Sequence, residues 1–107
     1  MFSALPPLAQ LRAFAALADA GSISRAGTAL NVSHAAISQQ VRALEAHLGL
    51  ALVEKDGRGV RLTAEGAQLG QRLTDSFGAI AREIEALTGA DAARPLQVST
   101  TPMFASA

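Results

Sequence analysis

Ser22-Ile23-Ser24-Arg25-Ala26-Gly27-Thr28-Ala29-Leu30-Asn31-Val32-Ser33-His34-Ala35-Ala36-Ile37-Ser38-Gln39-Gln40-Val41-Arg42-Ala43-Leu44-Glu45-Ala46-His47-Leu48-Gly49 is the stretch on which the fold turns. Ser22 or Ser24 offers an N-cap, because a serine oxygen accepts one of the orphan N–H groups of a helix's first turn. Ala26, Ala29 and Leu30 then draw a short apolar stripe that ends at Asn31, which predicts a two-turn helix. Ser33 offers a second cap. Beyond it Ile37, Val41, Leu44 and Leu48 recur at intervals of four, three and four, the period of one helix face, until Gly49 supplies a C-terminal stop. Only Asn31-Val32-Ser33 separates the two helices. A connection that tight holds the second helix across the first, as in a helix-turn-helix.

On the second of these helices a helical wheel places Ala35, Ser38, Gln39, Arg42 and Ala46 opposite the apolar side. Small residues there let a helix sink into a DNA major groove, while Ser, Gln and Arg hydrogen-bond base edges or phosphates. A face of this kind is also what any amphipathic helix turns to solvent. The flanking sequence decides between the two. Downstream, Ala51-Leu52-Val53-Glu54 and Val60-Arg61-Leu62 flank Lys55-Asp56-Gly57-Arg58-Gly59. Asp-Gly between two short apolar runs is a hairpin signal, since glycine tolerates the positive φ of tight turns. Upstream, Pro6-Pro7 suits the start of a helix, and Leu8, Leu11, Phe14 and Leu17 follow at near-helical spacing to Ala20, with Gly21 as the stop. Three short helices and a hairpin make a mainly α fold, a winged helix-turn-helix.

Thr63 caps a final segment in which Leu69, Leu73, Phe77, Ile80, Ile84 and Leu87 form one continuous apolar seam along a helix of about 25 residues, 64–88. That seam either packs on its own domain or forms a dimer interface. A three-helix domain is too small to cover it, and an apolar stripe left in water is a large exposed patch, so dimerisation is the expectation. Residues 89–95 read as a hinge and Leu96-Gln97-Val98-Ser99-Thr100 as a β-strand.

Composition excludes several other classes. The 107 residues contain no Cys, Trp or Tyr and four Phe, which removes disulfide scaffolds, thiolate metal sites and aromatic platforms for single-stranded nucleic acid. No apolar run reaches the ~20 residues of a membrane span and no signal peptide opens the chain, so a cytoplasmic location is expected. Nine basic residues balance nine acidic ones, which superficially argues against DNA. The balance is uneven along the chain. Residues 21–63 carry five basic side chains (Arg25, Arg42, Lys55, Arg58, Arg61) against three acidic (Glu45, Glu54, Asp56), a net +2. Residues 64–95 carry three (Arg72, Arg82, Arg94) against five (Glu65, Asp75, Glu83, Glu85, Asp91), a net −2. A modestly positive head therefore precedes an acidic helix.

Catalytic readings fare poorly. His34 and His47 stand 13 apart on one helix, without Cys or clustered carboxylates to complete a metal site. Ser38 with His34 lacks an orienting third group and an oxyanion-binding loop, and Gly57-Arg58-Gly59 lacks the Lys-Ser/Thr pair of a phosphate-binding loop. No catalytic residue, metal or cofactor is expected.

Several motifs, taken in order, resemble one family. They are Leu5-Pro6-Pro7-Leu8 with Leu11-Arg12-Ala13-Phe14, Ser22-Ile23-Ser24-Arg25-Ala26, Val32-Ser33-His34-Ala35-Ala36-Ile37-Ser38-Gln39-Gln40-Val41, Leu44-Glu45, Leu48-Gly49, Gly57-Arg58-Gly59-Val60-Arg61-Leu62-Thr63 and Glu65-Gly66. Together these resemble the LysR-type transcriptional regulators, within them the subgroup of glycine-cleavage activators and β-lactamase regulators, over residues 5 to about 88. The resemblance implies a winged helix-turn-helix in residues 1–63, a dimerisation linker helix in 64–88, a hinge in 89–95 and the truncated start of an effector-binding domain in 96–107. It implies a homodimer on double-stranded promoter DNA with an interrupted palindrome, the recognition helix 33–48 in the major groove and the wing 55–59 at the minor groove. Tetramers and a small-molecule effector are implied only for a protein with the full effector domain.

Residue by residue, the resemblance puts His34, Ala35, Ser38 and Gln39 at bases and neighbouring phosphates, Gln39 foremost because an amide pairs bidentately with adenine. It puts Arg58 at the minor groove, whose negative potential attracts a guanidinium. Ser24, Arg25, Ser33, Arg42, Lys55 and Thr63 fall at phosphates, and Leu69, Leu73, Phe77, Ile80, Ile84 and Leu87 at the dimer interface. The chain departs from the family at Ile23 and Val53, where Phe is frequent, and at Gly27, where Ala is frequent; Gly27 is expected to cost its helix ~1 kcal/mol against Ala. The alternative of a different class is a helical protein-interaction module that binds no DNA.

Overall fold

A computed structural model describes residues 2–89. A short 3-10 helix, Phe2–Ala4, is followed by α1 (Leu8–Ala20), α2 (Ile23–Leu30), α3 (His34–Leu48), the antiparallel pair β1 (Val53–Asp56) and β2 (Gly59–Leu62), and α4 (Ala64–Thr88). The architecture is the mainly helical winged helix-turn-helix that the sequence leads one to expect, followed by a long helix. The strand expected at Leu96–Thr100 lies outside the described residues, as does all of the hinge beyond Gly89.

The caps explain where the helices begin and end. Of the two candidate serines, Ser22 caps α2, its hydroxyl oxygen accepting the N–H of Arg25 at 3.1 Å. Ser33 does the same for α3 through Ala36 N–H at 3.0 Å. Between them Asn31 takes φ +59°, a left-handed conformation that asparagine tolerates, and closes α2 as a Schellman turn. Val32 N–H reaches back to Gly27 C=O at 2.9 Å and Asn31 N–H to Thr28 C=O at 3.2 Å.

The core lies where α1, α2 and α3 meet. Phe14, Ile37, Leu44 and Leu52 are its largest fully buried side chains, joined by Leu11, Leu17, Val41 and small Ala13, Ala15 and Ala26. Two expected inward residues face out. Leu8 is 64% exposed, so the α1 stripe runs one turn past the core. Ala29 is exposed because the buried side of α2 is Ala26 and Gly27, flanked by half-buried Leu30.

Gly27 has a different role from the one expected. A Cβ there would stand 2.8 Å from the backbone oxygen of Val32, closer than packed atoms approach. The missing side chain lets the turn lie directly on α2, so Gly27 is a point of backbone contact and no mere weakness of the helix.

The hairpin is tighter than the sequence suggests. Val53 pairs with Leu62, Glu54 with Arg61, Lys55 with Val60 and Asp56 with Gly59, so Lys55 and Asp56 belong to β1 and only Gly57-Arg58 form the turn. Gly57 has φ +62° and Arg58 does not have positive φ, the pattern of a two-residue turn with glycine first. Ala51 and Leu52 precede the strand.

The described residues fall into two units, one ending at Ser76 and one beginning at Phe77. Within the first, α4 packs through glycines. A Cβ at Gly66 would collide with the carbonyl of Leu52, and one at Gly70 would stand 2.7 Å from Ala18 Cβ. The apolar seam therefore divides. Leu69 and Leu73 are half-buried in the first unit, and in the second Phe77 is half-buried while Ile80, Ile84 and Leu87 are 54%, 54% and 76% exposed.

Candidate nucleic-acid interface

The amphipathic order of α3 sets the candidate surface. Ile37, Val41 and Leu44 are core, and on the other side His34, Ala35, Gln39, Arg42 and Ala46 are exposed, with Ser38 half-buried among them. The side chains on this face are short or carry hydrogen-bonding groups, so a flat or concave partner can approach the helix backbone closely.

At the start of α3 the surface continues onto α2. Ser24, Gly27, Thr28, Asn31, Val32, Ser33 and His34 line one open concavity. Thr28 donates its hydroxyl to Ser24 C=O at 3.2 Å, which orients that wall. Ser33 accepts a hydrogen bond at its oxygen as the cap, and its own proton remains available to an acceptor. Arg25 is exposed on the first turn of α2.

The wing adds two cations. Arg61 is held by Glu54 across the ladder at 3.0 Å, whereas Lys55 and Arg58 are exposed and have no ion pair among the described residues. Arg58 is the second residue of the turn. The residue therefore sits at the tip of the hairpin, beyond the last strand pair Asp56–Gly59.

Thr63 is placed differently from the expectation. Its hydroxyl donates its single proton to Ala51 C=O at 2.7 Å and accepts Gly66 N–H at 3.0 Å, while its own N–H goes to Leu52 C=O at 3.0 Å. No donor is left for a phosphate. Thr63 caps α4, as expected, and ties it to the segment entering the wing.

Sequence reasoning missed the part played by Glu45. Its Oε2 accepts the N–H groups of Leu52 at 2.8 Å and Val53 at 3.1 Å. The available signal was an acidic residue directly after a core leucine on an otherwise neutral-to-basic helix. Among the described residues no group of three or more His, Asp or Glu side chains is placed to hold a metal, and no helix is long and apolar enough to cross a membrane.

This arrangement has known counterparts. Residues 8–67, from the start of α1 to the first turn of α4, match the bacterial regulatory helix-turn-helix proteins of the lysR family. The chain belongs to the LysR family. Over 102 residues it is 47% identical to the AhcY transcriptional activator HvrB of Rhodobacter capsulatus, covering 95% of this chain and 35% of that protein. It is 42% identical over 100 residues to the transcriptional activator AmpR of Yersinia enterocolitica, covering 94% of this chain and 34% of the other. The chain thus spans about a third of the length of these LysR relatives.

Two solved structures are similar in fold. One is the BenM DNA-binding domain in complex with catB site 1 DNA, with TM-score 0.67 and 27% identity over 83% of this chain and 99% of that one. The other is the CbnR DNA-binding domain in complex with DNA, with TM-score 0.64 and 34% identity over 80% of this chain and 99% of that one.

Proposed function

We propose that this LysR-family chain is the reading and dimerising part of a transcriptional regulator that binds double-stranded DNA sequence-specifically. The observation that carries the reading is the exposed face of α3, with His34, Ala35, Gln39 and Arg42 in solvent on a helix whose reverse side is core. In this reading α3 enters the major groove, with His34, Ala35, Ser38 and Gln39 at base edges, and the wing brings Arg58 to the minor groove. Ser24, Arg25, Ser33, Arg42 and Lys55 neutralise or hydrogen-bond phosphates and set the register. Thr63, whose donor is already engaged, is not among them.

The head comprises residues 1–63 and α4 is the dimerisation helix, with Leu69, Leu73, Phe77, Ile80, Ile84 and Leu87 facing a second copy. Two-fold symmetry of the protein imposes an interrupted palindrome on the site. A small-molecule effector and tetramers belong to a longer protein with a full effector-binding domain.

Selection of duplexes from a randomised pool by the purified chain tests the proposal. The expected result is recovery of an interrupted palindrome, with retention that falls as salt rises because bound cations release counterions from the phosphates. Failure to enrich any shared motif, together with salt-independent retention, would leave the protein-interaction alternative standing.

A further inference from the structure

Glu45 follows the buried Leu44 near the end of α3, and of the five amides from Gly49 to Val53 four converge on it. Its main-chain carbonyl accepts Gly49 N–H at 2.8 Å and Leu50 N–H at 3.3 Å. Its side-chain Oε2 accepts Leu52 N–H at 2.8 Å and Val53 N–H at 3.1 Å. Leu52 lies before the first ladder pair and its side chain is fully buried; the partner of its amide among the described residues is this carboxylate, and a buried N–H left without one is costly. Hydrogen bonds to an ionised acceptor are the stronger kind. On its other side Leu52 is fixed by Thr63 N–H on its carbonyl, against which Gly66 lies without a side chain. The point where the chain enters the wing is thereby tied to α3 and α4 at once.

A carboxylate in a DNA-reading head weakens its attraction for phosphate, and the head carries only a small positive excess. We infer that Glu45 is a positioning residue for DNA reading: its carboxylate fixes the wing on the recognition helix, so that the groove contact of Arg58 depends on a side chain that makes no DNA contact of its own. The inference rests on the DNA reading proposed above. It adds that the major-groove and wing contacts are geometrically coupled through one side chain.

A double-mutant cycle reads the coupling, by fluorescence anisotropy of the full chain on a duplex it has selected from a randomised pool. Arg58→Ala is expected to weaken the wild-type chain about tenfold and a Glu45→Ala chain by less than about twofold, because an unanchored wing no longer delivers the guanidinium. Gln39→Ala should weaken both chains by the same factor. Two further variants separate position from charge. Glu45→Gln keeps an acceptor oxygen at the same reach, though a weaker one, and retains most of the Arg58 effect; Glu45→Asp keeps the charge, falls one methylene short and loses most of it.

An Arg58→Ala penalty equal in every background overturns the inference. So does Glu45→Asp behaving as wild type while Glu45→Gln behaves as Glu45→Ala. Should circular dichroism find Glu45→Ala unfolded, the Gln and Asp variants decide between coupling and independence by themselves. Amide exchange without DNA probes the clamp separately: Leu52 and Val53 should exchange slowly in wild type and Glu45→Gln and faster in Glu45→Asp, and equal rates remove the clamp. A wild-type chain that selects no duplex sinks the DNA reading and this inference with it. An additive cycle on a selected duplex sinks this inference alone.

Discussion

At Gly27 two physical effects oppose each other, and the structure decides which is larger. Helix propensity favours Gly27→Ala by about 1 kcal/mol, but the new Cβ would lie 2.8 Å from Val32 O and 3.6 Å from Ser33 C and O. The neighbours are backbone atoms of a hydrogen-bonded turn, which cannot swing aside as a flexible side chain does. Overpacking costs about 1–3 kcal/mol, so a net loss of up to about 2 kcal/mol is expected in denaturant unfolding. An increase in stability would show that the turn shifts freely. Gln39 and Arg58 make a second contrast. Gln39→Ala should relax preference at one base pair per half-site, at about 1–3 kcal/mol for the preferred base. Arg58→Ala should weaken all sequences and reduce the slope of log K against log salt by about one. Anisotropy titrations on matched and single-mismatch duplexes at several salt concentrations distinguish the two; identical behaviour of both variants would remove the groove assignment.

The docking of α4 belongs to the helix and cannot be read from any one of its residues alone. Gly66 and Gly70 lie four apart, which puts them one above the other on a helix, and each meets a different neighbour. The carbonyl of Leu52 opposite Gly66 is fixed by Thr63 N–H, whereas Gly70 faces the methyl of Ala18 on α1. Net of the same gain in helix propensity, Gly66→Ala is therefore expected to destabilise by about 2 kcal/mol and Gly70→Ala by roughly half as much, read from urea midpoints. The reverse order would mean that the wing entry yields more readily than α1. The helices themselves were legible in the sequence because their signals are local. Ser22, Ser33 and Gly49 act on amides or carbonyls within a few residues, and Ile37, Val41 and Leu44 repeat on one face. The wing turn was half legible: glycine announced a reversal, but the cross-strand pairing that places Lys55 and Asp56 in β1 is not a local property. Gly66, Gly70 and Glu45 were the least legible. What a missing Cβ makes room for, or which amide a carboxylate reaches, depends on backbone from another element. Thr63 shows the same limit from the other direction, since its capping of α4 could be read from its neighbours but the capture of its proton by Ala51 could not.

For the molecule as a whole, zero net charge is resolved into a head with a small positive excess and an acidic helix, and the consequence concerns affinity. A head carrying net +2 attracts DNA weakly by itself, so in the proposed function tight binding has to come from two heads engaging one duplex together. The second unit supplies a suitable contact: Ile80, Ile84 and Leu87 recur at four and three along α4 and are all more than half exposed, the spacing of a coiled-coil seam. Ile84→Glu places a charge in the middle of that stripe. Since Ile84 is outside the core of the head, circular dichroism should find the variant folded, while sedimentation finds a monomer where the wild type is a dimer. On a duplex carrying both half-sites the affinity should fall about 100-fold, the lower end of what bivalency contributes. On a duplex with a single half-site it should be nearly unchanged, because one head makes the same groove contacts with or without its partner. Equal losses on both duplexes would mean that the substitution damages the head, and a dimer that survives Ile84→Glu would mean that the seam of α4 is not what joins two copies.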